Sequence, residues 1–136
     1  MTYETSLLDS DTLSFYFKGN QKVIQKVDVY LVANGFIHPS VITYYEILNG
    51  LLFKDARTQL QRFQQFIQLN QVLPVNFIIA TTGAKIFADL RKANQMIGHN
   101  DVLIGATALE YDLTVVTNNV SHFSRIPGLS IDNWTI

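Results

Sequence analysis

The sequence predicts an α/β fold: a single domain with a short, mostly parallel central sheet flanked by helices on both faces. Three observations predict it. Short apolar segments alternate with longer stretches of helical periodicity, the pattern of strands buried between helical layers. The chain has 136 residues, 48% hydrophobic and 15% charged, which suits one buried core across 1–136. Its three prolines (Pro39, Pro74 and Pro127) each punctuate a boundary, and no repeat, low-complexity tract or linker lies between them.

The elements follow in order. Thr5-Ser6-Leu7-Leu8-Asp9 predicts a short buried strand, and Ser10 or Asp11 caps a helix running through Phe17. Residues 20–34 set Val23, Ile24, Val27, Tyr30 and Leu31 at amphipathic spacing, and Gly35 stops that helix. Phe36-Ile37-His38 predicts a second short strand. Pro39-Ser40 then opens a helix carrying Val41, Ile42, Tyr45, Leu48, Leu51 and Leu52. Residues 55–70 predict another helix, with Leu60, Phe63, Phe66 and Ile67 inward. Val72-Leu73-Pro74-Val75 predicts a third strand, after which Asn76 caps a long helix to about Ile97. Asn100 or Asp101 starts a helix over 102–111. Leu113-Thr114-Val115-Val116-Thr117 is the clearest strand, and Leu129-Ser130-Ile131 a last, weak one.

Composition excludes several classes of function. Without cysteine there is no disulfide framework, thiol nucleophile or thiolate zinc site. No stretch approaches the ~18 apolar residues of a membrane span. Met1-Thr2-Tyr3-Glu4 lacks a basic region leading into an apolar run, so the expected compartment is the cytoplasm. Ten basic residues against 11 acidic ones give a net charge of −1. That excludes a broad basic nucleic-acid platform, so any such contact must come from a local patch.

The scarcity of charge makes each acid informative. Asp9, Asp11, Glu46 and Asp101 sit inside largely apolar segments, while Glu4, Asp28, Asp55, Asp89, Glu110, Asp112 and Asp132 lie at termini, turns or polar helix faces. Asp9 ends a hydrophobic strand and Asp101 precedes an apolar helix, so each alone reads as a cap as readily as a ligand. Glu46 lies mid-helix between Tyr44-Tyr45 and Ile47-Leu48. It either points outward or faces an interior that tolerates a carboxylate only when it is paired or metal-bound. In a parallel α/β sheet ligands bind at the carboxyl ends of strands, where Asp9, His38 to Ser40, Asn76, Asn118 and Asn119 fall. Together Asp9, Glu46 and Asp101 suggest an oxygen-only site for Mg²⁺ or Mn²⁺. Clustered carboxylates without a cation repel one another and take up protons.

In these motifs and their order the chain resembles the PIN-domain ribonucleases, and within them the VapC toxins of bacterial type II toxin–antitoxin pairs. The resemblance covers nearly the whole chain. It rests on Leu7-Leu8-Asp9-Ser10-Asp11-Thr12, on the run from Pro39-Ser40-Val41 through Tyr45-Glu46-Ile47 to Gly50, and on Gly98-His99-Asn100-Asp101-Val102-Leu103-Ile104-Gly105-Ala106. Val115-Val116-Thr117-Asn118-Asn119-Val120-Ser121-His122-Phe123 and the tail leading to Trp134 complete it. The resemblance implies a Mg²⁺- or Mn²⁺-dependent endoribonuclease that cuts RNA, often transfer or ribosomal RNA. Asp9, Glu46 and Asp101 match the three metal-holding acids. Asn119 matches a polar residue expected to bond a carboxylate or a metal's water, and Thr117 is expected to bond within the site. Asp11 is expected to support the site through backbone or Thr12. The family often carries a fourth acid where this chain has His122, a departure that bears on one metal or two. The resemblance further implies a homodimer and a cognate antitoxin protein. The early helices would form the antitoxin's groove, with an apolar helix inserting and often a basic side chain directed at the acids.

Other polar residues have plainer readings beside functional ones. His99, next to Asp101, and Arg91 and Lys92, late on the long helix, are possible substrate contacts, as is His122; each also reads as a solvated or packed group. His38 reads as structural. Two rival functions stand against the nuclease. Asp9-Ser10-Asp11 after an apolar strand superficially matches a haloacid-dehalogenase-type phosphatase, but Leu13 occupies the position where that chemistry needs threonine. A non-catalytic RNA- or protein-binding PIN-like domain is the other, with His122 its best support.

Overall fold

A computed structural model of the chain describes residues 5–136. The readings made on Met1-Thr2-Tyr3-Glu4, including Glu4 as a solvated acid, lie outside them. Among the described residues three strands form one sheet, β1 (Ser6–Leu8), β2 (Thr114–Val116) and β3 (Ile131–Asp132), in the order β1-β2-β3 and parallel throughout. Seven helices surround it: α1 (Ser10–Phe17), α2 (Gln21–Asn34), α3 (Val41–Phe53), α4 (Arg57–Gln68), α5 (Phe77–Lys92), α6 (His99–Glu110) and α7 (Val120–Phe123).

Strand pleating divides the core in two. Successive side chains of a strand point to opposite faces. Leu7 and Val115 therefore join one cluster with Leu90, Val102, Ile104, Ala108, Phe123 and Ile126, beneath α5 and α6. Leu8 and Val116 join the other with Leu13, Val23, Val27, Tyr30 and Trp134, beneath α1 and α2. Helices thus cover both faces, as the apolar strands require. Close approach fixes α6: a Cβ on Gly105 would stand 2.5 Å from Ile126 Cδ1, and one on Gly83 of α5 would stand 3.2 Å from Leu103 Cδ2. Among the described residues no helix is long and apolar enough to cross a membrane.

Several element boundaries differ from expectation. Residues 36–38 and 72–75 form no strands; among the described residues the ladder contact beside them is a parallel bridge between Ser40 and Leu73. Val41 N–H donates to the Leu73 carbonyl and Leu73 N–H to the Pro39 carbonyl, both at 2.8 Å. Pro39 and Pro74 flank this bridge and have no N–H with which to extend it. The cap of α1 is Asp9, whose carboxylate accepts from Ser10 N–H, and not Ser10 or Asp11. Helix α4 begins at Arg57, after Asp55 in the left-handed region (φ 51°). Helix α5 stops at Lys92, five residues before Ile97, because Asn94 turns left-handed (φ 57°) and Gln95 N–H closes on the Leu90 carbonyl. Helix α6 begins at His99, so Asp101 lies inside its first turn and is not its cap. The last strand begins at Ile131, two residues later than expected, and ends at Asp132.

Candidate active site

Parallel pairing of β1 and β2 brings the candidate residues together. Leu8 pairs with Val116, so Asp9 and Thr117 leave the carboxyl edge of the sheet side by side. Thr117 Oγ1 donates to Asp9 Oδ2 at 2.8 Å, and Asp9 N–H donates to the Val116 carbonyl at 3.0 Å. Asp9 is only 5% exposed. Asp11, in the first turn of α1, accepts the Asn118 N–H at 3.2 Å and lies 3.3 Å from Thr12 Oγ1, so it braces the turn after β2.

Glu46 points toward this edge. Its Oε1 accepts from Ser10 Oγ at 2.7 Å, and Asn100 Nδ2 lies 3.4 Å from its Oε2. Ser10 Oγ also meets Thr43 Oγ1 at 3.1 Å, tying α1 to α3. Asp101 projects from the first turn of α6, where the helix dipole favours a negative charge. His122 Nδ1 lies 3.4 Å from Asp101 Oδ2 and 2.8 Å from Asn119 Nδ2. One ring nitrogen serves both contacts, so it either accepts from the Asn119 amide or donates to Asp101. The Asn119 side chain reaches His122 and not a carboxylate, while its backbone N–H donates to Thr117 Oγ1 at 2.9 Å.

Two cavities meet at Glu46. One, of about 360 Å³, is an open cleft lined by Glu46, Gly98, His99, Asn100 and Asp101. His99 is held there by stacking on Phe87, with ring centroids 4.2 Å apart. The other, of about 490 Å³, lies between α1, α3 and α4 and has Ser10 and Glu46 in its wall. Arg91 and Lys92, exposed in the last turn of α5, line neither cavity.

The electrostatics are those of an acid cluster lacking cationic side chains. Burial, reinforced by Asp11 and Asp101 and opposed by the Thr117 and Ser10 hydrogen bonds, raises the Asp9 carboxyl to about 7. Burial also raises Asp101; the His122 contact lowers it, and Glu46 and Asp11 raise it. Among the described residues no lysine or arginine pairs with Asp9, Asp11, Glu46 or Asp101. Nor do any three His, Asp or Glu side chains converge into a ready cage. An oxygen-only set that repels itself fits Mg²⁺, a hard cation usually bound through one or two carboxylates while keeping several waters. Asp9 and Asp101 would be the residues to hold such an ion.

The residues from Leu7 to Leu129 match the PIN domain model. This chain belongs to the PIN-domain family. Among relatives of this PIN domain, ribonuclease VapC1 of Haemophilus influenzae is 28% identical over 95% of the chain and 97% of its own length. The tRNA(fMet)-specific endonuclease VapC of Salmonella typhimurium is 30% identical over 94% of the chain and 96% of its own length. The crystal structure of DNA-bound VapBC from Salmonella typhimurium superposes with a TM-score of 0.86 at 28% identity, covering 97% of this chain and 99% of that one. The PIN domain's central sheet with helices on both faces is thus the fold expected.

Sequence reasoning passed over two contributors. Ser10 and Asn100 read as caps, yet they are the hydrogen-bond donors to Glu46. A hydroxyl between Asp9 and Asp11, and an amide beside Asp101, are the signal that could have found them, since carboxylates in an apolar setting need donors.

Proposed function

We propose that this PIN domain is a metal-dependent endoribonuclease, the toxin of a bacterial type II toxin–antitoxin pair, acting on RNA in the cytoplasm and restrained by a cognate antitoxin. The observation that carries this reading is the placement of Asp9 and Asp11 at the carboxyl end of β1, with Glu46 bonded to Ser10 and lining one cleft with Asp101, burial raising the Asp9 and Asp101 carboxyls, and no lysine or arginine paired to these acids among the described residues. The naming of its relatives as ribonucleases and a tRNA endonuclease, and of their complexes as VapBC, supports the substrate class and the partner.

Asp9 and Asp101 would hold Mg²⁺ or Mn²⁺. When bound, the cation supplies charge neutralisation and Lewis acidity toward a phosphodiester. Glu46, held by Ser10 and Asn100, orients and deprotonates the attacking water. Thr117 fixes Asp9 with one oxygen turned to its hydroxyl, and Asp11 braces the Asn118 turn. His122 beside Asp101 stands where a fourth acid is common, so one cation is the stoichiometry this site favours. His99 faces substrate in the open cleft. The chain works as a homodimer.

The test is expression in a bacterial host. Wild type arrests growth with cleavage of cellular RNA, and Asp101→Ala at equal protein level does not. Equal growth of the two would favour a non-catalytic binding domain, the reading that His122 otherwise supports.

A further inference from the structure

The larger cavity carries a pattern the acid cluster does not use. Three of the chain's ten basic residues line it: Lys18 at the end of α1, Lys54 at the end of α3, and Arg62 on α4. Its floor is apolar, with Phe17, Ile47 and Phe63. Among the described residues the one acid in its wall is Glu46, which also lines the cleft with Asp101. Arg62 lies over the Phe17 ring, 5.8 Å from the centroid, so its guanidinium stands on the cavity wall. The cavity lining therefore combines three cations and aromatic carbon with the carboxylate of Glu46.

Charge decides what such a cavity takes. Lys18, Lys54 and Arg62 set the charge of this lining against a single carboxylate, Glu46. A polyanion is drawn by the same three, and its scissile phosphate would then reach Glu46. The volume of about 490 Å³ lies within the ordinary range for a small-molecule pocket and is ample for one nucleotide. Unpaired bases of single-stranded RNA stack on aromatic rings and on guanidinium planes, which is what Phe17 and Arg62 present. We propose that Lys18, Lys54 and Arg62 are positioning residues that bind the phosphates of the single-stranded RNA segment flanking the scissile bond, with a base seated against Phe17 and Arg62. The inference rests on the ribonuclease reading of the acid cluster. It adds the direction from which the strand enters and the local basic patch that a chain of net charge −1 requires.

Binding of a labelled single-stranded oligoribonucleotide of about eight nucleotides, followed by fluorescence anisotropy in EDTA across a salt series, tests this without cleavage. Each of Lys18→Ala, Lys54→Ala and Arg62→Ala should make the slope of log K against log [salt] shallower by about 0.7, the share of one phosphate contact on a single strand. Arg57→Ala, exposed on the same helix α4 but outside the cavity, should leave the slope unchanged. In Mg²⁺ the three variants should raise KM and keep kcat. Slopes and KM unchanged in all three, with RNA still cleaved, would overturn the proposal and leave the cavity to a protein partner. Slopes that shift while no variant or wild type cleaves RNA would keep the cations' role and remove the catalysis instead.

Discussion

Asp9 caps α1 through the Ser10 N–H and accepts from Thr117 Oγ1, while burial and its acidic neighbours raise its carboxyl to about 7. A carboxyl raised from 3.8 in the unfolded chain to about 7 in the folded one binds more protons when folded. The stability it confers is therefore complete below about pH 4 and is lost as pH rises through about 7. In chelator, thermal melts should show the protein losing stability from pH 4 to 7.5 on this account, and Asp9→Asn should flatten that dependence; an unchanged profile in the variant would assign the trend elsewhere. Ser10 has a separate task. Ser10→Ala removes the 2.7 Å bond to Glu46, and RNA cleavage should fall by about ten-fold with little change in fold, since hydrogen bonds to charged groups contribute about 1.5–3 kcal/mol. The acids themselves were legible because charge is scarce in this chain. The donors that aim them were not, because a serine at a helix start satisfies a simpler need first.

Two helices deliver their acids through packing that the sequence states only in part. The depth of α6 depends on Gly105 against Ile126 and on Gly83 of α5 against Leu103. Gly105→Val should destabilise by about 1–3 kcal/mol through overpacking, read by denaturant unfolding, and should lower cleavage further by shifting Asp101. Wild-type stability in that variant would show α6 free to move. Helix α2 and strand β2 were plain from periodicity and β-branched composition. Residues 36–38 and 72–75 were not, since their apolar runs resemble strands but Pro39 and Pro74 limit them to one bridge. The end of α5 was hidden for another reason: the periodicity continues to Ile97, and only the left-handed Asn94 breaks it.

Across the molecule, a chain of net charge −1 sets Asp9 and Asp11 at the carboxyl edge of a three-stranded sheet, with Glu46 bonded to Ser10 and lining a cleft with Asp101. A cation that binds this edge only in the folded state must stabilise the fold, by about 2.7 kcal/mol at a hundred-fold excess over its Kd. Mg²⁺ or Mn²⁺ should accordingly raise the melting temperature of wild type at pH 7.5 and leave that of Asp9→Asn and Asp101→Asn nearly unmoved, as scanning calorimetry would show. The central claim is that these carboxylates cut RNA with a divalent cation. Its most direct test is cleavage of total bacterial RNA by purified protein with Mg²⁺ or with excess EDTA, beside Asp101→Asn. Discrete fragments from wild type with Mg²⁺ alone are the expected result; cleavage undiminished in EDTA, or equal in Asp101→Asn, would contradict the account.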